Sequence, residues 1–537
     1  MHEMILDPLQ MFDEEYRDGH RAYTERFFEE LVCRAGIDID SNRDTIRQIG
    51  ENKALLAQLR ASLKWRKFWR VVCCITIFLI PLVFLSINPK IKELQNKIRE
   101  EERREKELLE QAKTQMRPLN QRLTDRDALD MIEAVIPQFS FQPRLSREQE
   151  ADMAQNFDFE DSNGDEQSTI DILAGSYQGN PFFFGKKLIC TEEWETYRGK
   201  LNIQWTETEK NARGEEITVT RTQVLEETVE APKYCYHTQT VLHYCSQGGP
   251  DLSFSRKAGH WEGKNDRQIE RAVRHSELER KRLADKAVKQ NSGFTSMANS
   301  LFESLFNALN RDNEHQFRLL FTPLAQNNMT ALLRSGVGYG DDFSFEKRKR
   351  TNHIISEHSQ NREICLRAES YRSHSYDEIR ENFLKKNEAF FKAVYFDFAP
   401  LLAIPLYQER PIGFRQTMPA SRQQYSTREY EVLANALDPA EVVHPSTDSL
   451  AILKPRFIAS RDGVDEICID AYSYRIVSRT EYVPARGKDG RMHDVPVEWD
   501  EYTPLHERTY FYVTARKPGT DKAVMACRDG LYIYQEK

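Results

Sequence analysis

VVCCITIFLIPLVFLSIN, residues Val71 to Asn88, is an eighteen-residue run without a charge, set between Arg70 and Lys90 in a chain that is charged almost everywhere else. As a helix rising 1.5 Å per residue it reaches ~27 Å, close to the ~30 Å of a hydrocarbon core. Twelve of its residues are Val, Ile, Leu or Phe, which gives a gross insertion free energy of roughly −4 to −7 kcal/mol. Pro81 subtracts from this without forbidding a span. Trp65 and Trp69 stand where an interfacial aromatic belt belongs, beside Arg66, Lys67 and Arg70. The run therefore predicts a single transmembrane helix over 66–89, with Trp65, Arg66, Lys67, Trp69 and Arg70 as membrane-interface anchors. A buried core helix would instead need cover on every face next to Trp65–Arg70. A cleavable signal peptide does not begin after seventy residues.

Lys and Arg within about 20 residues number six before the run and seven after it, so the positive-inside rule nearly ties. The closest flank, with Lys64, Arg66, Lys67 and Arg70, leans toward a cytoplasmic N-terminus and a single-pass membrane location. The rest of the composition hides this. The chain has 537 residues, 39% hydrophobic and 30% charged, with 76 basic against 84 acidic side chains. That is enough for about two to four domains, too little Gly and Pro for a collagenous or low-complexity chain, and no global field for nucleic acid at a net charge of −8. The mean hydropathy of −0.67 describes a soluble average that eighteen residues barely move.

On the N-terminal side, Phe27, Phe28, Leu31 and Val32, then Ile46, Ile49, Leu55, Leu56 and Leu59, recur at helical spacing and predict a helical region over 1–65. On the other side, Ile91, Leu94 and Ile98 open a heptad seam that Glu101 and Glu105 interrupt before Leu108 and Ala112 resume it. Residues 90–136 thus read as a charged helical stalk, able to hold a homo-oligomer as a coiled coil or to stand alone as a solvated helix. From 137 to 263 the apolar period turns to two: Thr169–Leu173, Phe182–Cys190, Leu201–Trp205, Ile217–Val219 and Tyr234–Cys245 read as strands, with a hairpin turn at Asn211–Gly214. Residues 264–345 return to helices, of which the one started by Thr295 carries Leu301, Phe302, Leu305 and Phe306 as an apolar face that must pack on something. Pro323 opens the next helix. Residues 346–537 mix helices at Tyr376–Ala393 and Ser426–Leu437 with strands punctuated by Asp489-Gly490 and Asp529-Gly530. The expected fold class is α+β: N-terminal helices, the transmembrane helix, the stalk, then mixed antiparallel sheet and helix.

No segment nominates chemistry. Cys235, His237, His243 and Cys245 hold the ligand types of a zinc site, but on one continuous strand Cys235 and Cys245 lie about 33 Å apart. Only a reversal at Gln239–Val241 would join them. Gly336-Val-Gly338-Tyr-Gly340-Asp341-Asp342 lacks the strand, helix and Lys of a phosphate loop. His353 to His358 is not His-Glu-x-x-His in order or spacing. Lys347-Arg348-Lys349-Arg350 reads as a solvated loop. Six scattered cysteines beyond the run show no disulfide framework and can equally be reduced core residues. No catalytic residue, metal or cofactor is expected.

Several stretches together resemble a family of uncharacterised bacterial membrane proteins of mollicutes and gut anaerobes. They are Phe302-x-x-Leu305-Phe306-x-Ala308-x-x-Arg311-x-x-Glu314-x-x-Phe317-Arg318-x-x-Phe321-Thr322-Pro323-Leu324-Ala325-Gln326, Gly338-Tyr-Gly340-Asp341-Asp342-Phe343, Ala399-Pro400-Leu401-Leu402-Ala403-Ile404-Pro405, and Gly490-Arg491 with Val495-Pro496-Val497-x-Trp499-x-x-Tyr502. The resemblance covers about 65–537 and implies one N-terminal membrane helix, a large C-terminal domain and a bacterial membrane location, with no activity attached. The functional expectation is a membrane-anchored, non-enzymatic interaction or scaffold protein with a protein partner and the membrane itself as partners. The competing expectations are a membrane-tethered hydrolase with a site assembled from distant residues, and a subunit of a membrane complex contacting its neighbour through Phe302 and Phe306.

Overall fold

The structure is a computed structural model that describes residues 7–75, 88–142, 144–159, 164–210, 216–290, 297–409, 425–519, 522–528 and 530–535. It divides into two compact units that are not continuous in sequence: Met1–Phe139 with Cys365–Pro400, and Ser140–Ile364 with Leu401–Lys537. The fold is mixed α+β with two antiparallel sheets.

The first unit is helical. Arg17–Ala35 ends at Gly36, whose φ of 61° is the left-handed cap geometry that glycine adopts without strain. Phe28, Leu31, Met116, Leu119, Met131, Ile379 and Phe383 close its core. Two long helices, Ile39–Ile75 and Asn88–Asn120, lie side by side. Asn42 Nδ2 donates to Gln115 Oε1 at 3.2 Å, Ile49 packs with Leu108 and Ala112, and Arg60 pairs with Glu102 at 2.8 Å. Numbers climb along one helix as they fall along the other, so the two are antiparallel.

This arrangement overturns the single-pass expectation. A span over 66–89 would put Arg60 and Glu102 on opposite sides of a ~30 Å hydrocarbon layer, yet their side chains touch. Among the described residues no helix is long and apolar enough to cross a membrane. Residues 76–87 of the expected span lie outside the described residues, and 66–75 simply continue the Ile39–Ile75 helix. With the transmembrane helix go the single-pass location and the orientation drawn from it. The stalk is also different. Its seam residues Ile91, Ile98, Leu108 and Ala112 are buried within the chain. The polar interruption is answered locally, because Glu101 Oε2 accepts from Asn52 Nδ2 at 2.6 Å.

In the second unit, β1 (Phe139–Gln142), β2 (Gln167–Tyr177), β3 (Asn180–Lys210), β4 (Glu216–Cys245), β5 (Ser253–Arg256), β6 (Phe343–Arg348) and β7 (Thr351–Ser356) form a sheet in the order β1-β2-β3-β4-β7-β6-β5. The other sheet holds β8 (Ile452–Arg461), β9 (Val464–Arg486), β10 (Met492–Thr514), β11 (Ala523–Arg528) and β12 (Leu531–Gln535), in the order β11-β12-β10-β9-β8. Strands expected as separate pieces are continuous: Phe182–Cys190 and Leu201–Trp205 both belong to β3, and Ile217–Val219 and Tyr234–Cys245 to β4. The expected turn at Asn211–Gly214 lies outside the described residues. Asp489-Gly490 does make a hairpin turn, with Gly490 at φ 78° and Asp489 Oδ1 accepting from Arg491 N.

Two stacked ribbons as a candidate interaction surface

β2 pairs with β3 only as far as Ile189, and β7 pairs with β4 only from Leu242. The remaining length, 190–210 against 216–236, is held by β3–β4 pairing alone. It is a two-stranded ribbon roughly 65 Å long at ~3.3 Å per residue. The other sheet does the same. β8 reaches β9 up to Tyr472 and β12 reaches β10 from Tyr512, so 473–486 against 492–505 forms a second ribbon.

An isolated two-stranded ribbon is marginal in water because it has no face to bury. Here each supplies the other's cover. Ile203 and Leu225 of the first pack with Ala485 and Val495 of the second, and Leu201 and Trp205 lie against them. Tyr234 stacks on Tyr474 with centroids 4.0 Å apart and meets Tyr502 at 5.6 Å. Lys488 N donates to Gln223 Oε1 at 2.8 Å. At Gly199 the backbones approach so closely that any Cβ would overlap Pro496 O. Cross-strand pairs such as Lys200–Glu226 at 2.7 Å and Arg479–Glu501 at 2.8 Å run along the outside. They are solvent-exposed and contribute little each. Trp194, Val224, Tyr482 and Met492 remain exposed.

Sequence reading passed over these ribbons, although a signal was present. Pro232, Pro484, Pro496 and Pro504 all sit inside the strands. Proline cannot donate to a ladder and is confined to strands with a free edge. Four prolines in alternating β stretches therefore mark ribbons rather than central strands.

The residues singled out in the sequence are scattered. Trp65 and Trp69 are exposed ten and six residues before the end of the Ile39–Ile75 helix, with Lys67 and Arg70 beside them and Arg66 half-buried. Phe302, Leu305 and Phe306 are buried, and Leu301 is half-buried. Their helix is Ser300–Phe306, capped by Asn299, whose side chain accepts from Phe302 N, while Thr295 lies outside the described residues. Phe302 and Phe306 pack on Phe321, and Phe306 also meets Phe254 and Phe345. The face expected to meet a partner is occupied by the protein's own core. The same helix holds a buried ion network, in which Glu303 receives Arg280 at 3.3 Å and Arg311 at 2.6 Å.

β4 runs through Gln239–Val241 without reversal, so Cys235 and Cys245 stay at opposite ends of one stretch. His243 instead meets His353 in register on β7, with the two Nδ1 atoms 2.8 Å apart. One imidazole must donate to the other, which requires a proton between them but not two. Burial, reinforced by the neighbouring charges of His353, Arg428 and Lys187, holds His243 well below its ordinary value. Burial likewise lowers His353 to about 4. Phe183 stacks on His243 at 4.3 Å.

Lys347-Arg348-Lys349-Arg350 is not a solvated loop: Lys347 and Arg348 end β6, and Lys349, at φ 52°, makes the tight turn into β7. Lys347 is buried, its Nζ donates to Lys349 O, and burial lowers its ammonium to about 7. Asp341 of the glycine-rich stretch is fully buried against Arg256, and desolvation lifts its carboxyl to about 6 against the pull of that guanidinium. Its neighbour Asp342 binds His358 Nδ1 at 2.6 Å, and Tyr339 stacks on that ring at 3.8 Å. Each of these groups has an internal partner and fits a role in holding turns and strands. Cys33, Cys190, Cys235, Cys245, Cys468 and Cys527 carry free thiols.

Cavities are modest. One bounded by Gln142, Leu145, Gln149, Gly175 and Phe182 encloses about 30 Å³, room for a single water. An open groove of about 410 Å³ on the helical unit is lined by Glu110, Lys113, Arg117, Gln121 and Arg372. No family model matches the chain, and no match was found among curated proteins or solved structures.

Proposed function

We propose that this is a non-enzymatic interaction or scaffold protein that binds a partner protein along its two stacked β-ribbons. The observation that carries the reading is the ribbons themselves. Among the described residues their strands leave long backbone edges with no strand beside them in either sheet, apart from Tyr474 and Ile476, which Asp448 and Ser449 meet. Such edges are open to strand addition by an extended segment, with backbone hydrogen bonds giving affinity and alternate side chains giving specificity. Trp194 and Tyr482 are the anchors this surface offers, since rigid aromatic side chains dominate interface energetics.

The test is crosslinking of the full chain in its native cells, followed by purification and peptide mapping. A stoichiometric partner joined to 190–236 or 473–505 supports the reading. A chain recovered alone, or crosslinks confined to other regions, sinks it.

A further inference from the structure

We infer that the Trp65–Phe68–Trp69 face of the Ile39–Ile75 helix docks on an anionic lipid surface, peripherally and without crossing it. This stands apart from the ribbon reading and uses a different surface. The three rings follow the i, i+3, i+4 spacing that puts them on one face of the Ile39–Ile75 helix. They form one cluster, with Trp65 6.0 Å from Phe68 and 5.8 Å from Trp69. They are also 62%, 55% and 44% exposed. Elsewhere in this unit large aromatic side chains such as Phe28 and Phe383 are packed away, so an open triad of rings is the exception.

Charge says what covers it. Residues 62–75 and 88–97 carry Lys64, Arg66, Lys67, Arg70, Lys90, Lys92 and Lys97, and a single acidic residue, Glu93. Farther along the same two helices the signs alternate, as in Arg99-Glu-Glu-Glu-Arg103-Arg104-Glu105. The antiparallel packing matters here, because it brings Lys90 and Lys92 to the same end as Lys67 and Arg70. A basic collar around an amphipathic aromatic cluster suits an anionic headgroup layer: Trp rings settle at headgroup depth and the lysines reach lipid phosphates. Because the flanking helices return side by side, both stay on one face of the bilayer.

Full-length protein would be floated with phosphatidylcholine vesicles and with vesicles containing about 30% phosphatidylserine, at low and high salt. At least tenfold stronger recovery with the anionic vesicles is expected, falling as salt rises. K64E/K67E/R70E should lose that preference. W65S/F68S/W69S should weaken binding tenfold or more to anionic vesicles at either salt. Both variants change exposed side chains, and an unchanged unfolding midpoint shows that they fold. Protease added outside the vesicles should cut both 38–60 and 99–117. Equal recovery on neutral vesicles, binding unchanged in the variants, or protection of one flank only would each overturn the inference. So would loss of a protein crosslink in the variants with vesicle binding intact. Vesicle binding by a chain that purifies without partners would sink the ribbon proposal and leave this one standing.

Discussion

Two aromatic clusters on short stretches of helix look alike in sequence and meet opposite fates. Trp65, Phe68 and Trp69 stay in solvent on the Ile39–Ile75 helix, whereas Phe302 and Phe306 disappear beneath Phe254, Phe321 and Phe345. Both show helical spacing, and both stood out as surfaces for something outside the chain. The difference lies in what arrives from elsewhere in the sequence. Around Phe306 come β5 and β6, supplying Phe254 and Phe345. Around Trp65 the nearest helix offers Arg60's partner Glu102 and the lysines after Asn88, none of which covers a ring. An apolar helical face announces that burial is wanted, and its covering partner comes from residues distant in sequence.

The largest expected effect follows directly. Phe306→Ala removes a fully buried ring and leaves a cavity, costing about 3–5 kcal/mol. Trp65→Ala should cost less than about 0.5 kcal/mol. Urea midpoints of the two variants measure the contrast, and equal shifts would show that the rings on the Ile39–Ile75 helix are covered after all. Glu303→Ala should approach the Phe306 value, at roughly 3 kcal/mol, because it takes from buried Arg280 the carboxylate it pairs with and leaves buried Arg311 to Glu314.

The same contrast shows how much was legible. Local signals survived: Pro323 does open a helix behind a Thr322 cap, Ser426 does cap Thr427–Asn435, and Gly490 does turn a hairpin. The α+β class followed from apolar period alone. What failed was anything decided by long-range pairing. The hydropathy of the run at 71–88 is a local property, whereas the contact of Asn52 with Glu101 that argues against a span joins residues 49 apart. The strand pattern breaks off at Cys190 and Val219 and resumes at Leu201 and Tyr234, whereas β3 and β4 run on through Gly199 and Pro232, residues tolerated, and at Gly199 required, where two ribbons cross. The candidate surface shows in the sequence only through its strand prolines, because neither ribbon has a face worth burying until the other lies on it.

A pH dependence separates the buried sheet from the exposed rings of the Ile39–Ile75 helix. Burial holds the His353 imidazole at about 4, below its ordinary value of 6.5. The unfolded chain therefore binds the proton first as pH falls. The contribution of this group is whole above pH ~6.5 and is lost progressively as pH drops toward about 4, to an extent on the order of 2–3 kcal/mol. His243, also pushed down by burial, adds in the same direction. Urea unfolding of the wild type and of His353→Gln at pH 7.5, 5.5 and 4.5 gives the measurement. The variant should show the shallower decline, and parallel curves would remove the histidine pair as the cause.

The ribbon crossing gives an effect of middling size. Gly199→Ala places a methyl into the backbone of Pro496, and overpacking of this kind costs about 1–3 kcal/mol. Because the clash lies between ribbons, the loss should appear first as faster amide exchange at 195–205 and 492–499, with 182–189 and 242–245 unchanged. Uniform acceleration would mean that the ribbons unfold with the sheet rather than separating from each other.

The smallest effect bears on the chain reversal between the two long helices. Arg60 and Glu102 are both well exposed, so a double-mutant cycle should return only about 0.2–1 kcal/mol of coupling, reduced by salt. Its size matters less than its existence, since charges on opposite sides of a bilayer would show none. The pair Arg60→Cys and Glu102→Cys, treated with a short bis-maleimide, turns this weak coupling into a covalent report. A linked peptide carrying both positions requires the helices to lie side by side, as the Asn42–Gln115 and Asn52–Glu101 contacts demand. A linker that joins neither, in protein that unfolds with the wild-type midpoint, would return the apolar run to a span and undo the shared basic end on which the lipid contact rests.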